Sequence, residues 1–141
     1  MEFHDVKYIR IPDDKWFEFL KIAFNYSDYF SLKYITNKKY DYSLCDYIDN
    51  ELSNWHIYDK DYTVWPDFKT KYYMCNFFTM KILASIGGIS KFGGGIYPED
   101  LSFFKDDKVW FENVSHEKIS FFKSTNLKLK TDLICNNIIL I

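Results

Sequence analysis

His116 and Glu117 are the neighbouring residues of this sequence best suited to acid–base or metal chemistry. A histidine beside carboxylates can act as a general base or as a metal ligand, and Glu99 and Asp100 offer further oxygen atoms if a hairpin brings them close. Adjacent residues of a strand point to opposite faces, however, and no HExxH, HxH or paired-cysteine motif is present. A structural turn is therefore the favoured interpretation. A small enzyme or metal-dependent domain centred on these four residues is the alternative.

The other residues able to carry chemistry lack the neighbours that such chemistry needs. The glycine runs at 87–88 and 93–95 match neither GxGxxG nor GxxxxGK[ST], so they predict a mobile connection and not a phosphate loop. Ser115 has no surrounding GxSxG. The three cysteines are far apart and odd in number, which argues against a disulfide framework or a zinc site. We expect no catalytic residue, no cofactor and no metal.

Negative charge is concentrated in residues 41–67, where seven acidic residues accompany a single basic residue, Lys60. Complementary charge accelerates the encounter of two proteins, and tyrosine and tryptophan are frequent interface anchors. We therefore predict that this segment forms an acidic, tyrosine-bearing face for a basic protein partner. The residues predicted to bind the partner are Asp46, Asp49, Glu51, Asp59, Asp61 and Tyr62. A solvated helix face without a partner is the alternative.

The composition predicts an ordered domain that does not bind nucleic acid. Of the 141 residues, 48% are apolar and 21% are aromatic, which is ample for a hydrophobic core. The formal net charge is −2 and Arg10 is the only arginine, so phosphate recognition is disfavoured. No segment resembles a signal peptide or a membrane span, and we therefore expect a cytoplasmic protein without a membrane partner.

Hydrophobic periodicity places these candidates on an α/β (α+β) fold. The predicted order is β-α-β-α-β-α-β-β, in a mixed or antiparallel sheet with helices packed on it. Apolar residues recur at helical spacing from Trp16 to Phe24, and residues 101–104 and 108–114 form the clearest hairpin. Residues 56–69 are expected to be irregular. The buried stripe predicted for the second helix is Leu44, Tyr47, Ile48, Leu52 and Trp55.

We predict one domain over residues 1–123, followed by a C-terminal tail over residues 124–141. Residues 127–130 alternate between leucine and lysine as a strand does, and residues 133–141 are mostly apolar. The tail is therefore expected either to add an edge strand or to fray. An exposed β-prone segment tends to pair with another chain. A structural or regulatory protein that forms homo-oligomers through this tail is thus a third functional alternative.

Two stretches of the sequence resemble a known family. They are Ile11-Pro12-Asp13-Asp14-Lys15-Trp16 with Ser27-Asp28-Tyr29-Phe30-Ser31-Leu32, and Pro98-Glu99-Asp100-Leu101-Ser102-Phe103-Phe104 with Val109-Trp110-Phe111 and Ser115-His116-Glu117. Over residues 6–122 the chain is similar to a family of small uncharacterised bacterial proteins sometimes labelled stage III sporulation protein AH. By analogy of size and acidity, it also resembles the immunity proteins encoded beside bacterial toxins. That analogy implies a protein that neutralises a toxin by occluding it with the acidic face.

Overall fold

Short segments rich in aromatic and β-branched residues pair into one antiparallel sheet. The structure is a computed structural model in which residues 6–35, 43–61, 68–94 and 96–141 are described. Within these residues the structure has eight strands: β1 (Lys7–Arg10), β2 (Tyr29–Ile35), β3 (His56–Asp61), β4 (Phe68–Met74), β5 (Glu99–Lys105), β6 (Lys108–Val114), β7 (Ile119–Phe122) and β8 (Ile139–Leu140). They pair in the spatial order β3-β4-β2-β5-β6-β7-β1-β8.

One face of this sheet is covered by helices, and the residues described contain four α-helices. They are α1 (Trp16–Tyr26), α2 (Ser43–Leu52), α3 (Phe77–Ile86) and α4 (Leu127–Cys135). α1 lies at the centre, where the ring of Phe19 is 6.0 Å from that of Phe103 and 5.0 Å from that of Phe111. α3 and α4 both pack against α1. The α+β class with helices packed on the sheet is confirmed, and so is the predicted buried stripe of α1.

The strands alternate between the helix-covered face and an uncovered face. In β2, Phe30, Leu32 and Tyr34 are buried in the same core as the apolar residues of the four helices. The residues between them, including Ser31 and Lys33, point to the other side, as the period of two requires. The predicted hairpin is also confirmed: Asp106 and Asp107 join β5 to β6 with positive φ angles of 51° and 62°, as a two-residue type I′ turn needs.

The element order differs from the prediction at three places, one of which is the additional strand β7 after the hairpin. Residues 56–61 form the edge strand β3, although residues 56–69 were expected to be irregular. The tail contains α4 before its edge strand β8, and Leu129, Leu133 and Ile138 are part of the core. Asn126 begins α4 by accepting a hydrogen bond from Leu129 N at 2.8 Å, and this cap stabilises the helix against the alternating pattern.

The buried stripe predicted for α2 is confirmed in part. Ile48 and Leu52 enter the core together with Cys45, whereas Leu44 and Tyr47 are exposed. Both sets are compatible with helical spacing, so the choice between them depends on tertiary contacts. Across the described residues, no helix has the length and apolar character needed to cross a bilayer.

Candidate functional site

The predicted partner-binding residues lie at one end of the sheet, on α2 and the edge strand β3. Asp46, Asp49 and Glu51 belong to α2, and Asp59 belongs to β3. The side chain of Asp61 and the whole of Tyr62 lie outside the described residues. The four of these residues whose side chains are described therefore share one corner of the fold, but they have different surroundings.

Asp49 connects α2 to the sheet. Lys71 Nζ of β4 donates to its Oδ2 at 2.8 Å and to its Oδ1 at 3.0 Å. The Tyr73 hydroxyl lies 3.1 Å from Asp49 Oδ1 and 2.8 Å from the Tyr34 hydroxyl. Each phenol has one proton, so both are used when Tyr34 donates to Tyr73 and Tyr73 donates to Asp49. Burial, and then the nearby Tyr34 and Asp49, raise the pKa of Tyr73. Asp49 therefore has a structural role.

Asp59 is also paired within the protein. It accepts a hydrogen bond from His56 Nε2 and lies 3.8 Å from Lys69 Nζ on the neighbouring strand. Asp46 and Glu51 are on the exposed side of α2. A hydrogen bond from the exposed Tyr47 to Glu51 raises the pKa of that tyrosine. The outward negative charge of this corner is thus carried mainly by α2.

Three aromatic side chains beside these acids are left partly in water. We call Trp55, Phe77 and Phe78 the apolar cluster. Phe77 and Phe78 are 62% and 60% exposed, and the Trp55 ring stacks on Phe78 with 5.6 Å between centroids. Phe77 lies edge-on to Phe78 at 6.1 Å. Exposed apolar groups of this size are a candidate interaction surface.

Local sequence explains why the apolar cluster points outward. Asn76 and Thr79 form a capping box that fixes the start of α3, so Phe77 and Phe78 occupy its first turn. The helix buries its later residues Met80 and Leu83, and the first turn therefore projects beyond the core. Sequence reasoning missed this cluster because it placed Trp55 in the buried stripe of α2. Phe77 and Phe78 lie between the two capping residues Asn76 and Thr79, and this sequence pattern is the signal that could have revealed the cluster.

Comparison of the chain with protein-family models, curated proteins and solved structures found no match. The function of the protein must therefore be argued from the chemistry of its surfaces. The resemblances drawn from the sequence stay predictions.

The alternative site around His116 is only partly assembled. Asp100 forms an ion pair with Lys33 at 3.1 Å and accepts a hydrogen bond from Ser115 N at 2.8 Å. His116 and Glu117 are exposed in the 3₁₀ turn that follows β6, and this agrees with the structural turn favoured from the sequence. Burial, and then Asp100, raise the pKa of Glu99, while His116 opposes that shift. Glu99, Asp100 and His116 are therefore electrostatic neighbours.

Metal ligation is not supported at this turn by the described residues. In that part of the chain, no three His, Cys, Asp or Glu side chains come together as a metal site would require. Asp100 and His116 instead line one cavity on the uncovered face of the sheet, and its volume is about 670 Å³.

The glycines and cysteines singled out in the sequence serve the fold. Gly87 ends α3 with a φ of 100°, a left-handed conformation that favours glycine. Gly93 has a φ of 82°, and a Cβ atom there would lie 2.8 Å from Ser115 Cβ. The thiol of Cys45 is buried and donates to Ile96 O at 3.1 Å. Burial raises the pKa of Cys75, which disfavours the thiolate form that a nucleophile requires.

Proposed function

We propose that this protein binds another protein through the apolar cluster and the acidic side of α2, in the manner of a toxin-neutralising immunity protein. The observation that carries the proposal is the exposure of Phe77 and Phe78 beside the stacked Trp55 ring. Aromatic side chains that are exposed in a free protein and buried in a complex supply much of the binding energy of interfaces.

The charge beside the apolar cluster indicates what kind of partner it fits. Residues 43–61 contain five carboxylates and one lysine. Lys71 and Lys69 of the next strand pair with Asp49 and Asp59, and Asp46 and Glu51 are on the exposed side of α2. A partner with an apolar centre and a basic rim is therefore complementary. A toxin domain with a basic active site or substrate groove has this character, and occlusion of that groove would neutralise it.

The backbone of β3 adds a second means of contact. β3 is at the end of the strand order, and within the described residues β4 is its only neighbour. Its side chains from His56 to Lys60 are exposed. An edge strand of this kind can accept an extended segment of a partner, with main-chain hydrogen bonds for affinity and side chains for specificity.

The test compares two double variants that change matched positions. Phe77→Ser with Phe78→Ser removes two rings of the apolar cluster, and Leu127→Ser with Ile134→Ser removes two equally exposed apolar side chains of α4. Phe77 and Leu127 each follow an asparagine cap, so the helical contexts agree. Proteins captured from the native host by the wild-type chain are identified, purified and measured by surface plasmon resonance.

We expect a basic partner that the α4 variant binds normally. The Phe77/Phe78 variant should bind it at least about thirtyfold more weakly, the effect of losing about 2 kcal/mol of hot-spot energy. Asp46→Lys with Glu51→Lys should slow association and flatten its salt dependence, whereas Asp14→Lys with Glu117→Lys should not. The proposal fails if every captured protein binds the Phe77/Phe78 variant as tightly as it binds the α4 variant. Self-association of the wild-type chain that the Phe77/Phe78 change abolishes would also overturn it.

A further inference from the structure

The uncovered face of the sheet contains a depression that arises from the order of its side chains. The strand register places Tyr72, Ser31, Ser102 and Glu112 in one row across β4, β2, β5 and β6. Neighbouring strands are about 4.8 Å apart, so two adjacent serines open a gap between the larger side chains at the ends of the row. This gap is the middle of the 670 Å³ cavity, which we call the sheet cavity.

Buried hydroxyl groups form the floor of the sheet cavity. Ser31, Thr70 and Ser102 line it and are only 4%, 5% and 8% exposed. Thr70 Oγ1 is buried and has no hydrogen-bond partner among the described residues. Buried polar atoms are almost always paired, so this hydroxyl lacks a group that a bound molecule can supply. Thr70 lies between Lys60 and Lys33 in the strand register, so these are the side chains that must move aside for a bound molecule to reach its hydroxyl.

The charges of the sheet cavity cancel within its walls. Lys33 pairs with Asp100 at 3.1 Å, and Glu112 pairs with Lys123 at 3.4 Å. Two lysines, Lys33 and Lys60, and two carboxylates, Asp100 and Glu112, line the cavity, which gives no net formal charge with His116 neutral. A cavity of this kind offers an ion no excess of opposite charge. It suits an uncharged molecule that can both donate and accept hydrogen bonds.

The backbone around the sheet cavity excludes an extended peptide added as a strand. β4, β2, β5 and β6 are interior strands, each paired on both sides. Recognition must therefore come from side chains: carboxylates that accept, ammonium groups that donate and hydroxyls that do both. Tyr72, Phe104 and Val109 add apolar surface to the same walls. Hydroxyl groups around a ring with apolar faces match this combination.

We infer that the sheet cavity binds a neutral, hydroxyl-rich small molecule of the saccharide class. The inference is independent of the proposed protein interface, which is at the α2–β3 corner. Such a ligand would donate hydrogen bonds to Asp100 and Glu112, accept them from Lys60, and pair with Thr70 Oγ1 once the lysine side chains move aside. Its apolar ring face would rest against Tyr72 and Phe104.

The experiment uses the full chain and four probes: glucose, N-acetylglucosamine, cellobiose and inorganic phosphate. Binding is followed by saturation-transfer NMR and by calorimetry at ligand concentrations up to about 10 mM. Thr70→Val removes the floor hydroxyl while keeping its shape, and Ser31→Leu fills the depression. Thr131→Val is the matched control, because Thr131 is exposed on α4. Circular dichroism verifies that each variant folds.

We expect at least one neutral sugar to bind the wild-type chain. Thr70→Val should weaken that binding about tenfold, the effect of one lost hydrogen bond, and Thr131→Val should leave it unchanged. Ser31→Leu should abolish it. Should Ser31→Leu not fold, Thr70→Val alone decides. The inference is overturned if no sugar binds, if phosphate binds in preference, or if sugar binding is the same in Thr70→Val and the wild type.

Discussion

Replacement of Asp49 by alanine should destabilise the fold, although Asp49 was predicted from the sequence to bind a partner. The change removes the acceptor of the Tyr73 hydroxyl, and Tyr73 is fully buried. A buried donor left without a partner costs about 1–3 kcal/mol. The ion pair with Lys71 is also lost. The Lys71 and Asp49 side chains are 24% and 33% exposed, so this loss adds about 0–1 kcal/mol. We therefore expect a total loss of about 1–4 kcal/mol.

Two companion variants separate these contributions. Asp49→Asn keeps an oxygen acceptor for Tyr73 and removes only the charge, so it should cost about 1 kcal/mol or less. Glu51→Ala changes an exposed carboxylate on the same helix and should stay within about 0.5 kcal/mol of the wild type. Urea unfolding followed by circular dichroism measures all three. Asp49→Ala should lower the midpoint by about 1 M at a typical urea dependence.

The reasoning is refuted if Asp49→Ala and Glu51→Ala have the same midpoint. It is also refuted if Asp49→Asn is as damaging as Asp49→Ala, because the acceptor would then be irrelevant. If Asp49→Ala lowers the urea midpoint most, Asp49→Asn less and Glu51→Ala least, then Asp49 links α2 to the sheet. Any effect of Asp49 on partner binding would then have to be corrected for the loss of fold.

Two further predictions concern the C-terminal segment and the acid region of the pH scale. Deletion of residues 124–141 removes the buried Leu129, Leu133 and Ile138 and should therefore abolish cooperative thermal unfolding. A truncated chain that unfolds at the same temperature as the wild type would contradict the assignment of these residues to the core. Burial raises the pKa of Glu99, so the folded chain holds this proton more tightly than the unfolded chain does. The stability from Glu99 should therefore fall as pH rises above the ordinary glutamate range, and Glu99→Gln should be the more stable protein at pH 7 in urea unfolding. Equal stability of the two proteins at pH 7 would mean that the Lys33 and His116 charges cancel the cost of burial.

Local pattern was sufficient for the central elements of the fold. The 3.6-residue period of α1 and the two-residue turn between β5 and β6 are visible in sequence because neighbours along the chain determine them. The α2 stripe was predicted only in part, because Leu44 and Tyr47 have the same helical spacing as the buried Cys45 and Ile48. In the observed rotation Asp49 contacts Lys71 and Tyr73, and these long-range contacts are not visible in local spacing. The alternation of residues 127–130 resembled a strand, although Leu129 and Leu133 share one helix face.

The candidate site was predictable as a segment but not as a surface. The acidic composition of residues 41–67 identified the segment that contains α2 and β3, although its residues 56–61 were not expected to form a strand. Which carboxylates remain outward depends on the pairing of β3 with β4, which brings Lys69 and Lys71 to Asp59 and Asp49. Such long-range register is not encoded in local spacing. The floor of the sheet cavity has the same origin, because Ser31 and Ser102 become neighbours only when β2 and β5 pair.

The position of β1 in the sheet sets the order in which the chain can fold. β1 pairs with β7 through Tyr8 and Phe121, and with β8 through Ile9 and Leu140. Both partners come more than a hundred residues later in the sequence. During synthesis, β1 therefore leaves the ribosome long before either of its neighbours exists, and it must wait without its hydrogen-bond partners. Closure of this edge requires a contact of very long sequence separation, so we expect a slow folding step that the β2–β4 and β5–β6 pairings do not share.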